Sequence, residues 1–103
     1  MTAYFAVFAT DRPGSGALRA EIRERHRRYL RTPDGHDVVV RLGGPTLEEA
    51  SGDMNGTLLV VEAASIDAVR AFVADDPYSR AGLFAAVEIR PWRWGLGNPG
   101  AAA

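Results

Sequence analysis

Asp75-Asp76-Pro77-Tyr78 is the stretch that orders this 103-residue chain. These four residues close a segment, Ile66 to Asp75, whose apolar positions Ile66, Val69, Phe72 and Val73 recur at helical spacing. Pro77 lacks an N–H and its ring clashes with the preceding turn, so that helix must stop before it. The same ring pushes Asp76 out of the α region into extended backbone. Two carboxylates at the electronegative end of a helix are unfavourable unless other groups meet them. His26 is the best candidate partner elsewhere in the chain. Read locally, Asp-Pro is a common turn signal and needs no function. The rest of the chain decides how much more it means.

Working toward the C-terminus, residues Ser79 to Leu83 read as a short helical turn and Phe84 to Arg90 as a strand. Ala85, Val87 and Ile89 face one side of that strand, Glu88 and Arg90 the other. Pro91 marks a strand end or an edge. Trp92-Arg93-Trp94 follows, and the Gly/Pro/Ala-rich tail from residue 95 to 103 is expected to fray, leaving one domain over residues 1–94.

Working toward the N-terminus, Ser65 is a helix cap with Asp67 well placed in the first turn. Gly56 to Ala63 is a strongly apolar strand. Thr46 to Asn55 is polar and reads as a loop, with room for one helical turn at Leu47 to Ala50. Val38 to Leu42 is a short strand ending at Gly43-Gly44-Pro45. Thr32 to Asp37 is a turn, in which His36 reads as exposed and incidental. Ala17 to Arg31 is a helix with Ser15 before it as a cap, and its inward stripe is Leu18, Ile22, His26, then Tyr29 and Leu30. Arg19, Arg23, Arg27 and Arg31 repeat every four residues; they read as a solvated helix face rather than an anion or nucleic-acid surface. Tyr4 to Thr10 is apolar on both faces, Tyr4, Ala6 and Phe8 against Phe5, Val7 and Ala9, which requires cover on both sides.

The order strand, helix, strand, strand, helix, strand predicts an α+β, ferredoxin-like arrangement: a four-stranded antiparallel sheet with two helices on one face. The second face keeps members of the Tyr4/Phe5 sets, Leu58 to Val61 and Val87/Ile89. An apolar face of that size usually marks an interface. A homodimer stacked through the sheet is therefore expected.

Composition limits the function classes. The net charge is −1, which favours neither nucleic acid nor an anionic membrane. No cysteine is present, so thiol nucleophiles, disulfides and thiolate metal sites are excluded, and the cytoplasm is the expected compartment. All twelve basic residues are arginine, so no lysine can form a Schiff base. No run approaches the roughly 20 apolar residues that cross a bilayer. A basic region before the first apolar run, as a signal peptide needs, is also missing. Charge is uneven: residues 1–45 hold eight arginines against five acids, and most of that excess sits on the first helix.

His26 followed by Tyr29-Leu30, Gly44-Pro45 after the second strand, Asp75-Asp76-Pro77-Tyr78, and the closing Val87-Glu88-Ile89-Arg90-Pro91-Trp92 together resemble the YCII-related (YciI-like) proteins. The likeness spans about Tyr4 to Trp94. It implies a ferredoxin-like fold assembled as a dimeric α/β barrel, with a catalytic histidine and aspartate that map onto His26 and Asp76. The family's activity is largely unassigned, so the likeness implies a site without a substrate. The basic first helix and the Trp/Gly-rich tail depart from the pattern.

A carboxylate bonded to one imidazole nitrogen fixes the tautomer and leaves the other nitrogen free to take and return a proton. The expected function is thus a cofactor-independent enzyme of lyase or isomerase type, moving a proton on a small organic molecule. Tyr78 and Arg80 are candidate oxyanion binders and Pro45 a third substrate-side residue; packing for Tyr78 and solvation for Arg80 stay open. Ser79 alone does not make a hydrolase triad, and two histidines fall short of the three or so ligands a metal needs. A non-catalytic binding or regulatory module would use the same pocket, and a cofactor-free oxygenase follows from fold analogy alone.

Overall fold

The computed structural model describes residues 2–98. The 95–103 tail lies outside the described residues from position 99 onward. Seven elements follow one another: β1 (Ala3–Asp11), α1 (Gly16–Arg31), β2 (Val38–Leu47), β3 (Met54–Ala63), α2 (Ile66–Asp75), α3 (Pro77–Arg80) and β4 (Phe84–Trp92). The strands form one antiparallel sheet in the order β2-β3-β1-β4. This is the ferredoxin-like α+β arrangement, with a short third helix inserted after the Asp-Pro corner.

The helices cover the sheet face that carries Phe5, Val7, Leu59, Val61 and Ala63, which form the core with Val38, Val69, Phe72 and Val73. A second cluster joins Ile22 of α1 to Tyr78 and Leu83 around α3. Ser65 caps α2 by accepting from the Ala68 N–H at 3.2 Å. Ser15 stands at the start of α1 without a side-chain cap bond.

Three expectations are corrected. The Gly43-Gly44-Pro45 stretch does not end β2: the strand continues to Leu47 and pairs Pro45 with Thr57 and Leu47 with Met54, so no helical turn forms at Leu47 to Ala50. A bulge at Arg41 absorbs the extra residue between Val40 and Leu42. Edge position explains why Pro45 fits, since β2 has a neighbour on one side only. The last strand likewise runs on through Pro91 to Trp92, along the other edge.

The third correction concerns faces. Val87 and Ile89 pair with Ala9 and Val7, so they lie on the helix side and not on the open one. The open face is built instead from Tyr4, Phe8, Val39, Leu42, Leu58 and Trp92, by their pairing and alternation. Phe8 is 43% and Leu42 53% exposed. Tyr4, Trp92 and Trp94 meet edge to face, with Tyr4 6.4 and 6.0 Å from the two indoles.

Candidate active site

Asp76 is held from both directions. Its N–H donates to Val73 O at 3.1 Å, ending α2, and its carbonyl accepts from the Arg80 N–H at 2.9 Å. Its φ and ψ of −56° and 133° are extended, as Pro77 requires. Pro77 then opens α3 at a position where a missing N–H costs nothing. Asp76 caps this helix, with Oδ1 accepting from the Tyr78 N–H at 2.9 Å. The Asp-Pro corner is therefore the end of one helix and the start of the next.

His26 comes to this corner from the middle of α1. Its Nδ1 lies 2.8 Å from Asp76 Oδ1 and 3.0 Å from Oδ2, and both residues are buried. Oδ1 already acts as an acceptor toward Tyr78, so Nδ1 carries the hydrogen and donates. Nε2 makes no hydrogen bond among the described residues. The imidazole is stacked on the Tyr78 ring, with centroids 3.9 Å apart and planes 16° from parallel. That contact fixes the ring plane, while the carboxylate fixes the tautomer.

A cavity of about 660 Å³ opens between α1 and β2. The buried His26 and Tyr78 line it, with Pro45 and Gly44 of β2 and with Leu30 and Pro33. Four of the five expected site residues thus converge: His26 and Tyr78 on the wall, Asp76 behind His26, and Pro45 across from them. Arg80 does not. Its side chain is 69% exposed and binds Asp75 Oδ1 at 2.8 Å, outside the cavity. Burial raises the pKa of the Tyr78 hydroxyl, so this group stays protonated toward the cavity, where Arg19 Nη1 approaches it at 3.5 Å.

The arginine row is the largest departure from the sequence reading. Arg19 is 4% exposed and points into the protein. Its Nε and Nη2 donate to Asp11 Oδ2 and Oδ1 at 2.6 and 3.0 Å, and Nη2 also meets Gly56 O at 2.8 Å and Thr57 Oγ1 at 2.9 Å. Gly56 is obligatory at this spot: a Cβ there would stand 2.4 Å from Ala9 O. Arg23 is half-buried and lines the cavity, while Arg27 and Arg31 border it and stay exposed, as a solvated helix face requires. A signal was present in the spacing, since Arg19 and Arg23 stand seven and three residues before His26 on one stripe.

His36 is the other residue misread. Its Nε2 lies 2.7 Å from Asp75 Oδ2, and its ring meets Tyr29 and Phe72 edge to face. Asp75 is thus compensated by His36 and Arg80, and Asp76 by His26 and the α3 N-terminus. The hydrogen bond from His36, then that from Arg80, pulls the Asp75 carboxyl below its usual value. A depressed folded-state value contributes stability that is present above the ordinary carboxylate range and lost as pH falls through the lowered value. Asp75→Asn should therefore remove acid-side stability: urea midpoints of variant and wild type should differ at neutral pH and converge in strong acid. Equal midpoints at neutral pH would dismiss this role.

Among the described residues no three His, Asp or Glu side chains come together as a metal ion would need, and no helix is long and apolar enough to cross a membrane.

The ferredoxin-like sheet with a buried histidine and carboxylate at one end of a cavity defines a small α+β protein with room for a small organic ligand. The chain matches the family model of the YCII-related domain over residues 3–93, and it belongs to that family. It is 38% identical to the 5-chloro-2-hydroxyhydroquinone dehydrochlorinase TftG of Burkholderia phenoliruptrix AC1100, solved in complex with 2,5-dihydroxybenzoquinone; the match covers 89% of this chain and 95% of that one, with a TM-score of 0.79. An uncharacterised protein of Haemophilus influenzae is 24% identical over 94 residues, covering 87% of this chain and 96% of the relative. SnoaB of Streptomyces nogalater, a cofactor-independent oxygenase, shares the fold at 14% identity and a TM-score of 0.52, covering 95% of this chain and 97% of its own.

Proposed function

We propose that this protein is a cofactor-independent enzyme of lyase or isomerase type, in which His26, held by Asp76, moves a proton on a small organic molecule. The observation that carries the reading is the His26 Nδ1 to Asp76 contact at 2.8 Å with Nε2 left unbonded on a cavity wall. The likeness to a dehydrochlorinase adds support for elimination chemistry. In an elimination of this kind one ring hydroxyl gives up its proton while the ring carbon bearing the leaving group gains one, which leaves a keto tautomer. A second hydroxyl then gives up its proton, and the electron pair so released expels the halide. Two protons lost, one gained and one halide expelled balance as loss of HX, and a base that can also act as an acid suffices for these proton steps.

The first experiment follows chloride released from 5-chloro-2-hydroxyhydroquinone. The second, which needs no leaving group, follows hydrogen–deuterium exchange at the ring carbons of 2,5-dihydroxybenzoquinone in heavy water by NMR. Acceleration of either by wild type, lost in His26→Asn, is the expected result. Buffer-level rates in both would leave the same cavity to a non-catalytic binding module.

We also propose that two copies pair through the open sheet face, where Phe8, Leu42 and Leu58 stand exposed. Stable interfaces bury roughly 1,200–2,000 Å² in total, of which an apolar face is the usual centre. Sedimentation should give a dimer for wild type and a monomer for Phe8→Glu; a monomeric wild type at micromolar concentration would remove the dimer.

A further inference from the structure

Five guanidinium groups line the cavity and no carboxylate does, among the described residues. Three of the five bring their own counter-charge: Arg19 pairs with Asp11 at 2.6 Å, Arg41 with Glu62 at 2.6 Å, and Arg27 with Glu24 at 3.5 Å. Arg23 and Arg31 form no ion pair with any described residue. Arg23 is the more confined. Its Nη2 meets only the Met54 sulfur at 3.4 Å, a weak acceptor. Its Nε is sealed from solvent and has no hydrogen-bond partner among the described residues. Asp53 shares a shallow side pocket with Arg23 and makes no ion pair with it.

Arg23 as a whole is half-buried, but an unmade hydrogen bond at a buried N–H such as its Nε is costly, and it is kept where a ligand completes it. A guanidinium fork suits oxygen anions in particular, since it can meet two oxygens at once. Arg23 also lies one helical turn before His26, on the same stripe. We infer that the cavity takes its ligand as a small organic anion with the charge on oxygen, and that Arg23 is the residue that receives it.

The inference rests on the cavity being the ligand site, and it deepens that reading by naming the charge state. An oxygen anion bound at Arg23 pushes electron density into the carbon framework beside His26, which makes a ring carbon easier to protonate. It also gives specificity. A neutral analogue would cover Arg23 and leave it unpaired, so the site rejects it for the same reason that it accepts the anion.

The probe is 2,5-dihydroxybenzoquinone, whose hydroxyls are vinylogous to carbonyls and therefore ionised at neutral pH. Its comparator is 2,5-dimethoxybenzoquinone, with the same ring and no acidic hydrogen. Calorimetric titration of the full chain should show binding of the first and at least about tenfold weaker binding of the second. Arg23→Gln should weaken binding of the dihydroxy compound by about tenfold or more, and Arg23→Lys, which keeps charge without the fork, by less. Arg70→Gln, on the exposed side of α2 and paired with Asp67, should leave it unchanged. Because Arg23 has no counter-charge among the described residues and only the weak Met54 contact, Arg23→Gln should melt no lower than wild type, which separates lost binding from lost fold.

Equal binding of the two quinones, wild-type affinity in Arg23→Gln, or no binding of the dihydroxy compound to wild type would each overturn the inference. These outcomes are independent of turnover. Arg23-dependent binding without any ring exchange would remove the catalytic reading and leave the anion site standing.

Discussion

His26→Asn is expected to slow proton exchange on the ring of a bound hydroxyquinone by about 10²–10⁴-fold, the usual worth of a positioned acid–base group. The substitution is chosen for its geometry. The asparagine amide nitrogen falls near the place of Nδ1, so the donor to Asp76 survives, and only the cavity-facing nitrogen is deleted. A loss of exchange with little change in melting would then belong to Nε2 and not to the packing of α1. Asp76→Asn tests the same device from behind. A carboxamide can turn its N–H toward Nδ1, which places the imidazole hydrogen on Nε2 and takes away the base. It should approach the His26→Asn defect while leaving quinone binding at Arg23 intact. Exchange at the wild-type rate in His26→Asn would end the acid–base proposal.

Asp11→Ala is expected to cost about 3–5 kcal/mol of folding stability, the range for removing one partner of a buried ion pair. The reason is what remains. Arg19 stays deep in the protein with a full charge, and Gly56 O and Thr57 Oγ1 are neutral acceptors that cannot replace a carboxylate. Burial is the largest single influence and works against the charged guanidinium; the Asp11 hydrogen bond and charge, helped by Tyr78, together outweigh it, so the net direction of the Arg19 pKa is upward. That balance is lost with Asp11. A paired change, Asp11→Ala with Arg19→Met, removes both charges and should recover part of the loss, giving a coupling visible in a double-mutant cycle. Urea unfolding is the measurement. A loss below about 1 kcal/mol in Asp11→Ala would mean that water reaches the guanidinium after all. Arg19 also stands 4.7 Å from the Tyr78 ring centroid, so unfastening it should loosen the floor under His26 as well.

The α2 span, the extended Asp76 and the place of His26 on the α1 stripe were legible because each depends on neighbours a few residues away. Ring sterics at Pro77 and the helical period act locally, and chain order then limits the topology to very few forms. The approach of His26 to Asp76, fifty residues apart, was reachable through the family likeness and the need to compensate a helix end. The substrate-side residues were less so. Tyr78 and Pro45 reach the cavity, but Arg80 turns to Asp75 because α3 carries it away from the opening.

Local sequence determined where this chain bends and which side of each helix is apolar, since those are matters of sterics and period within one or two turns. Tertiary structure alone decided where its charges go. Arg19, Arg23, Arg27 and Arg31 are alike in spacing and type, yet one is buried on Asp11, one on Glu24 at the surface, and two stand without a counter-charge beside the cavity. His36 likewise became a partner of Asp75 only when residues thirty-nine apart were brought together. An ionised side chain is satisfied by whatever opposite charge the fold delivers to it, and that partner comes from a distant segment that spacing within one helix does not specify.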